Sequence, residues 1–170
     1  MPEIFTLYKF MILYMLSRID FPLTNAQISE FMLGRGYTTY FTLQQALSQL
    51  TEAGLLEEEN THRRTLYHLT PDGAQSIQYF RNHIYRPIRE DVEQFLREKE
   101  YELKDEVSVK ADYWRNHAHE YSVRCQVLEN QEPLIDLTLS VPDEHEAETI
   151  VKNWNEKNQE VYAWLMSQLL

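Results

Sequence analysis

The sequence predicts an α+β protein, in which helices and a β-hairpin precede a helical connector, a three-stranded antiparallel sheet and a long final helix. Apolar residues recur at helical spacing through most of the first half of the chain, alternate with polar residues between Val107 and Val141, and return to helical spacing after Pro142. The 170 residues, of which 43% are hydrophobic, are enough to bury one full core or two small ones.

The first predicted element is an apolar helix from Glu3 to about Arg18. It is apolar on nearly every side and therefore needs neighbours on every side, either at the centre of a monomer or partly at a dimer face. The apolar run Ile4 to Leu16 contains Lys9, is too short to span a bilayer, and has neither a basic start nor a cleavage site. We therefore expect a buried helix and no association with a membrane.

Two capping-box patterns predict where the second and third helices begin. Thr24 with Gln27, and Thr42 with Gln45, each place a hydroxyl and an amide three residues apart. Such a pair satisfies the unpaired N–H groups of a helix start. The third helix is therefore expected near 43–53, and Gly54 should end it as a left-handed cap. Its apolar stripe comprises Leu43, Ala46, Leu47, Leu50 and Ala53.

A β-hairpin and two further helices are predicted after the third helix. The strands Leu55 to Glu59 and Arg64 to Leu69 flank a polar tip near 60–64 that suits a turn. Thr70 then caps a helix that Pro87 should kink or restart, because proline removes a helical hydrogen bond. The charged segment Ile88 to about Glu102 predicts a solvated connecting helix.

Alternation of apolar and polar residues predicts a three-stranded antiparallel meander with one wet face. Its strands begin near Val107, Tyr121 and Ile135, and a turn at Asn130 and Gln131 separates the last two. A final helix, from residue 142 to the C-terminus, should cover the sheet. Its last turns hold more apolar surface than one small sheet can hide, so the other lobe or a second subunit must cover them.

The first half of the chain resembles a known group of proteins. A helix ending in L-x-x-A-G-L-L, a charged hairpin, and a return strand R-x-L-Y-x-L-T followed by P-D-G resemble the winged-helix DNA-binding fold of bacterial transcription regulators of the PadR and MarR types. The segment LTNAQISEFMLGRGYTTYFTLQQALSQLTEAGLL is more similar still to an uncharacterised bacterial winged-helix family, a domain of unknown function (DUF4364). The resemblance implies a helix-turn-helix protein that binds double-stranded DNA as a homodimer and regulates transcription.

The elements and the resemblance together predict three parts. These are a winged-helix DNA-binding domain at residues 1–70, a helical connector at 71–104, and a β-β-β-α dimerisation or effector lobe at 105–170. The single cysteine, Cys125, permits no internal disulfide and fits a reducing cytoplasm.

The net charge of −11 argues against a protein that coats nucleic acid without discrimination, because Lys and Arg supply most nonspecific affinity. Most of the acidity lies beyond residue 80. Five basic and eight acidic residues precede that point, a net of −3, whereas eleven basic and nineteen acidic residues follow it, a net of −8.

The polar face of the third helix is the candidate DNA-reading surface. In a major groove Gln pairs naturally with adenine, and Thr or Ser contacts several bases. The alternative is an ordinary solvated face, but a helix-turn-helix setting favours the DNA interpretation. Residues just before the helix suit phosphate contacts, while Phe41 is expected to pack. The candidate contacts are Thr38, Thr39, Tyr40, Thr42, Gln44, Gln45, Ser48 and Gln49.

The hairpin tip adds a basic cluster, His62, Arg63 and Arg64. Two adjacent arginines on a wing suit phosphate or a minor groove. The alternative is a solubilising turn, with Arg64 paired to the acidic triplet Glu57 to Glu59 across the ladder. That triplet is unusual beside a DNA-binding wing. It favours a rival function, a winged-helix protein-interaction module without DNA affinity.

Catalysis, cofactors and metals have little support in the sequence. There is no Gly-rich phosphate loop or nucleophile elbow, and His117, His119 and Glu120 form only a weak metal pattern, so we expect neither an enzyme nor a cofactor or metal site. Cys125 alternates into the apolar side of its strand, which predicts a buried, inert thiol. Aromatic residues of the last lobe either pack in its core or line a pocket for a small apolar effector. The candidate pocket residues are Tyr113, Tyr121 and Trp154.

Overall fold

The computed structural model of the protein describes residues 3–170, and in this range it has six α-helices, one 3₁₀ turn and two three-stranded antiparallel sheets. The predicted α+β class is confirmed. By its contacts the chain divides into two compact units. The first unit runs to residue 60 and continues from 64 to 104, and the second comprises residues 61–63 and 105–170.

The first unit contains helix α1, Ile4–Ser17. Six consecutive residues, Met11 to Leu16, are buried, so neighbours surround this half of the helix on every side. Three elements of this unit contact α1: helix α3 (Tyr40–Glu52), strand β3 (Thr65–Leu69) and helix α4 (Pro71–Phe80). The uninterrupted apolar sequence therefore forms a central helix, although its first residue, Ile4, is exposed.

A short strand β1, Leu23–Thr24, leads into helix α2, Asn25–Gly34. The predicted capping box is confirmed. The Thr24 hydroxyl accepts a hydrogen bond from the Gln27 N–H at 3.0 Å, and the Gln27 side-chain oxygen accepts one from the Thr24 N–H at 2.9 Å. Gly36, with φ +73°, closes the helix in the left-handed conformation that glycine adopts without strain.

Helix α3 spans Tyr40–Glu52, so its predicted start near residue 43 is wrong by three residues. Thr39, rather than Thr42, is the cap, and its hydroxyl accepts a hydrogen bond from the Thr42 N–H. Two threonines three residues apart compete for this role, and the turn that follows Gly36 is complete by Thr39. The predicted end is confirmed, since Gly54 has φ +75°.

Strands β2, Leu56–Asn60, and β3, Thr65–Leu69, form the predicted hairpin. Strand β3 pairs with β1 on one side and with β2 on the other, all antiparallel, in the order β1-β3-β2. Three helices followed by a hairpin whose second strand returns to β1 make a winged helix-turn-helix. This arrangement leaves one side of α3 uncovered, beside the hairpin.

Two more helices complete the first unit and its connection. Thr70 caps α4, Pro71–Phe80, through its hydroxyl and the Gly73 N–H at 3.0 Å. After a 3₁₀ turn at Arg81–His83, helix α5 spans Arg86–Ser108, so the chain does restart beside Pro87.

Helix α5 is longer and less solvated than predicted. Val107 lies in this helix and not in a strand, because it extends a buried stripe at helical spacing. The connecting helix is therefore amphipathic, with one buried edge. That edge comprises Val92, Phe95, Leu96, Leu103 and Val107.

The second unit contains a three-stranded sheet and the long helix α6, Glu144–Leu169. Strands β4, Val109–Arg115, β5, Tyr121–Glu129, and β6, Glu132–Val141, pair in sequence order. The predicted tight turn is confirmed by positive φ at the two residues between β5 and β6, 52° and 68°. The core between sheet and helix comprises Tyr113, Val123, Cys125, Ile135, Ala147, Val151 and Trp154.

The last turns of α6 extend this helix with exposed apolar side chains. Residues 161–170 contain no charged side chain. Trp164 is 62% exposed and Leu169 is 77% exposed. The sequence-based expectation that this sheet cannot hide the whole helix agrees with these exposures.

Cys125 is 1% exposed, and burial raises the pKa of its thiol to about 11. At pH 8 such a pKa lowers the thiolate fraction about 100-fold relative to an ordinary cysteine near 9. We therefore expect the folded protein to react with an aromatic disulfide reagent at least about 100-fold more slowly than the same protein in concentrated guanidinium. Equal rates in the two conditions would show that the thiol is not buried in solution.

Candidate nucleic-acid interface

The side of α3 that faces away from the core is exposed. Leu43, Ala46, Leu47 and Leu50 are buried on the opposite side, as the sequence stripe predicts. The exposed positions follow helical spacing along the helix and present mostly uncharged groups. They are Tyr40, Phe41, Gln45, Ser48, Gln49 and Glu52.

Most of the chain that forms this face is free of acidic residues, Glu52 being the exception. No aspartate or glutamate occurs from Phe31 to Thr51, although 27 of the 170 residues are acidic. The single arginine in this stretch, Arg35, lies 3.1 Å from the Asp91 carboxylate and is neutralised by it. Glu52, at the C-terminal end, is the one acidic residue among these exposed positions, so most of the face has neither the charge that would repel phosphate nor a strong positive charge of its own.

Lys9 of α1 supplies a cation at the border of this face. Its ammonium donates a hydrogen bond to the Gln49 side-chain oxygen at 2.8 Å and lies 5.0 Å from the centre of the Phe5 ring. In the sequence Lys9 only interrupts an apolar run, and we did not predict it as a contact. A lone charge in an otherwise apolar helix must reach solvent, and this signal could have marked it.

Several predicted contact residues are used to build the helix-turn-helix itself. Thr39 caps α3 and donates its hydroxyl to the Thr42 hydroxyl oxygen at 3.0 Å. Gln44 exchanges two hydrogen bonds with Asn25, at 2.7 and 2.9 Å, which tie α3 to the first turn of α2. The amide of Gln44 must break these bonds before it can reach a base. Thr38 is half-buried in the turn.

The expectation that Phe41 packs in the core is wrong, because its ring is 72% exposed. Two residues of an α-helix turn through about 200°, so Phe41 lies nearly opposite the buried Leu43 once the helix starts at Tyr40. The misplaced helix start is thus the cause of the error. Phe41 instead lies one turn before Gln45 on the exposed face.

The tip of the hairpin belongs by its contacts to the second unit. The backbone N–H of His62 donates to an Asp112 carboxylate oxygen at 3.2 Å, and its ring nitrogen Nδ1 lies 2.6 Å from the same oxygen. The ring also stacks on Tyr113, with centroids 3.9 Å apart and planes within 9°. His62 is therefore engaged within the protein, whereas Arg63 is exposed and Arg64 half-buried.

The three glutamates of the hairpin differ in exposure. Glu57 and Glu58 are exposed, and Glu58 accepts a hydrogen bond from the Asn60 amide at 2.8 Å. Glu59 is half-buried, and its carboxylate lies 2.9 Å from the ring nitrogen of His68 on β3. Two carboxylates therefore remain on the surface of the wing and oppose phosphate there.

The residues predicted for an effector pocket come together in the core of the second unit. Burial and the carboxylates of Glu144 and Glu148, at 3.1 and 3.3 Å from its hydroxyl, raise the pKa of Tyr113 to about 12. The indole N–H of Trp154 donates to the Gln126 carbonyl at 3.1 Å. Tyr121 is half-buried, with its ring centre 6.2 Å from that of Tyr113. These three residues pack as parts of a hydrophobic core. That they bind a small-molecule effector stays a prediction.

Comparison with known protein families matches one family model to residues 8–169, that of Domain of unknown function (DUF4364). The chain belongs to this family. The DUF4364 match includes α3, the hairpin, and the sheet and long helix of the second unit. No curated protein and no solved structure matches the chain.

The described part of this DUF4364 protein has neither a cluster of metal ligands nor a helix suited to a membrane. Within residues 3–170, no three His, Cys, Asp or Glu side chains are grouped as metal ligands would be. None of the helices in that range combines the length and apolar character needed to cross a membrane.

Proposed function

We propose that this DUF4364 protein binds double-stranded DNA sequence-specifically and regulates transcription in the cytoplasm, in the manner of the PadR and MarR regulators it resembles. The observation that carries the proposal is the exposed, mostly uncharged face of α3 in a winged helix-turn-helix. Its Gln45 and Ser48 can form hydrogen bonds with base edges, and base edges carry the sequence information of DNA. The role is binding rather than catalysis.

The charge distribution supports a binder that depends on few phosphate contacts. Lys9 borders the α3 face and Arg63 is exposed on the hairpin tip, so each subunit offers about two cations. With four phosphates neutralised by a dimer, the logarithm of the association constant should fall with the logarithm of salt concentration at a slope of about −4. The exposed Glu57 and Glu58 oppose further phosphate contacts by the wing, so the wing should not make this slope steeper.

The proposal predicts salt-sensitive binding to a subset of genomic fragments. Fluorescence anisotropy on fragments captured from the source genome would measure affinity at several salt concentrations. Lys9→Met and Arg63→Ala should each weaken binding about three- to tenfold, equally for matched and unmatched duplexes, because phosphate contacts do not distinguish sequences. Arg97→Ala, which removes an exposed arginine of α5, is the matched control and should leave binding unchanged.

Absence of any fragment that binds in a salt-sensitive manner would refute the proposed function. A loss of binding in all three variants, including the control, would indicate that overall charge matters and that the α3 face does not.

We further propose that the protein acts as a homodimer whose contact includes the uncharged end of α6. Two copies of a chain with net charge −11 repel one another over most of their surfaces, but residues 161–170 carry no charge. Trp164 and Leu169 are exposed there and suit a subunit contact. Sedimentation equilibrium of the wild-type protein should give twice the mass of one chain. The double variant Trp164→Ser, Leu169→Ser should give a mass closer to that of a single chain. A wild-type mass of a single chain would contradict the dimer.

A second candidate function, a protein-interaction module without DNA affinity, is favoured by a separate observation. Glu57 and Glu58 are exposed on the wing, while His62 at the tip is held by Asp112. A wing of this kind suits a basic protein partner better than phosphate. Charge reversal with Glu57→Lys and Glu58→Lys separates the two functions, since it should strengthen DNA binding and weaken binding to a basic partner.

A further inference from the structure

Fewer side chains of α3 are available for hydrogen bonds with a ligand than its row of polar residues suggests. Gln44 is held by Asn25 through two hydrogen bonds, and Gln49 accepts from Lys9. Among residues 3–170, by contrast, neither Gln45 nor Ser48 has a hydrogen-bond partner for its side chain. Gln45 is thus the one glutamine of α3 that can offer both its amide oxygen and its amide nitrogen to a ligand without breaking a bond.

An aromatic ring stands beside this amide. Phe41 precedes Gln45 by four residues, so the two side chains lie on the same side of the helix with their Cβ atoms about 6 Å apart. The Phe41 ring is 72% exposed, which is unusual for a phenylalanine with no described role in the core. Both residues lie in the N-terminal half of α3, which is the part of a recognition helix that meets base edges.

We propose that Phe41 and Gln45 make the protein specific for two A·T pairs about two steps apart, with adenine read by Gln45 and a thymine methyl group packed on the Phe41 ring. This inference rests on the proposed function and specifies its target sequence. The glutamine amide matches the donor and acceptor of adenine in the major groove, and phenylalanine makes the apolar contact that only thymine offers. A separation of about 6 Å corresponds to roughly two base-pair steps of 3.4 Å.

Charge favours DNA over protein as the occupant of this face. The chain from Phe31 to Thr51 has no acidic residue, whereas elsewhere aspartate and glutamate are frequent. Glu52 lies at the far end of the helix, so the part of the face around Phe41 and Gln45 avoids repulsion of a polyanion, and Lys9 at its border adds attraction. A protein ligand would place no such requirement on the charge around Phe41.

The test begins with selection of bound duplexes from a random library by the full chain. The enriched sequence should contain an adenine and a thymine within about two base pairs of one another. Replacing that thymine by uracil, which removes only the methyl group, should weaken binding of the wild-type protein about fourfold. Phe41→Ala should bind the thymine and uracil duplexes equally, and Gln45→Ala should lose its preference for adenine.

The matched control is Tyr79→Ala, which removes another exposed aromatic ring, 75% exposed on α4. It should keep the wild-type preference for thymine. Enriched duplexes without the A·T pair, or a thymine preference that persists in Phe41→Ala, would overturn the specificity inference while leaving DNA binding intact. If the wild-type protein binds the thymine and uracil duplexes with equal affinity, the proposed contact of Phe41 with thymine is wrong, and Phe41 would contact another partner, such as a protein. If no duplex is enriched at all, the proposed function itself fails and the inference with it.

Discussion

Substituting Gly73 by alanine is expected to lower the free energy of unfolding by about 3 kcal/mol. A Cβ atom at this position would lie 2.1 Å from the Leu55 carbonyl oxygen and 2.8 Å from a methyl carbon of Leu69. The oxygen belongs to the backbone and cannot rotate away, and it already accepts a hydrogen bond from the Thr70 N–H at 3.2 Å. The added methyl group must therefore separate the start of α4 from the end of the hairpin.

Gly34→Ala is the matched control for this substitution. Nothing lies within 4 Å of a Cβ built at Gly34, and the residue is helical in α2. Alanine there should leave stability unchanged or raise it by up to about 1 kcal/mol, because glycine has the lower helix propensity. Urea unfolding followed by circular dichroism would measure both variants. Similar midpoints for the two would show that the contact at Gly73 relaxes easily.

Trp154→Ala is expected to lower the free energy of unfolding by about 4 kcal/mol. Trp154 is 5% exposed in the core between the sheet and α6, and its indole N–H is bonded to the Gln126 carbonyl. Truncation leaves a large cavity and an unpaired carbonyl. Trp154→Phe keeps most of the packing but loses the hydrogen bond, and it should cost about 1 to 2 kcal/mol.

Hydrogen exchange should locate this loss in the second unit. Amides of β4, β5 and β6 should exchange faster in Trp154→Ala, while those of α1 and α3 keep their protection, because the first unit has its own buried residues. Trp114→Ala, which removes a tryptophan that is 45% exposed, should cost less than about 1 kcal/mol. An equal rise in exchange across both units would show that they unfold together.

The fold was predictable where local patterns determine it. Thr24 and Gln27 bond to each other within one turn, and the strands around Cys125 alternate strictly, so neighbouring residues contain the whole signal. The ends of helices were harder to predict from the sequence. Thr39 and Thr42 are equivalent as local caps, and the choice between them depends on how the preceding turn closes.

The candidate site was less predictable, because long-range partners determine which of its groups are available. Gln44 meets Asn25 across 19 positions, and His62 meets Asp112 across 50, and no local pattern encodes either pair. The pattern of polar residues indicated the α3 face as a candidate, but it could not distinguish a hydrogen-bonded amide from an available one. The exposure of Phe41 followed from the helix start and was missed with it.

For the DNA binding proposed above, the mostly uncharged groups on the exposed face of α3 have a consequence in cells whose ionic strength varies. Salt weakens contacts to phosphate but hardly affects a hydrogen bond to a base or a ring on a methyl group. Under osmotic stress, DNA occupancy by such a protein would fall at every site by a similar factor, while the order of preference among sites stayed fixed. Ionic strength would then set the amount of protein bound, and the choice of site would not change with it.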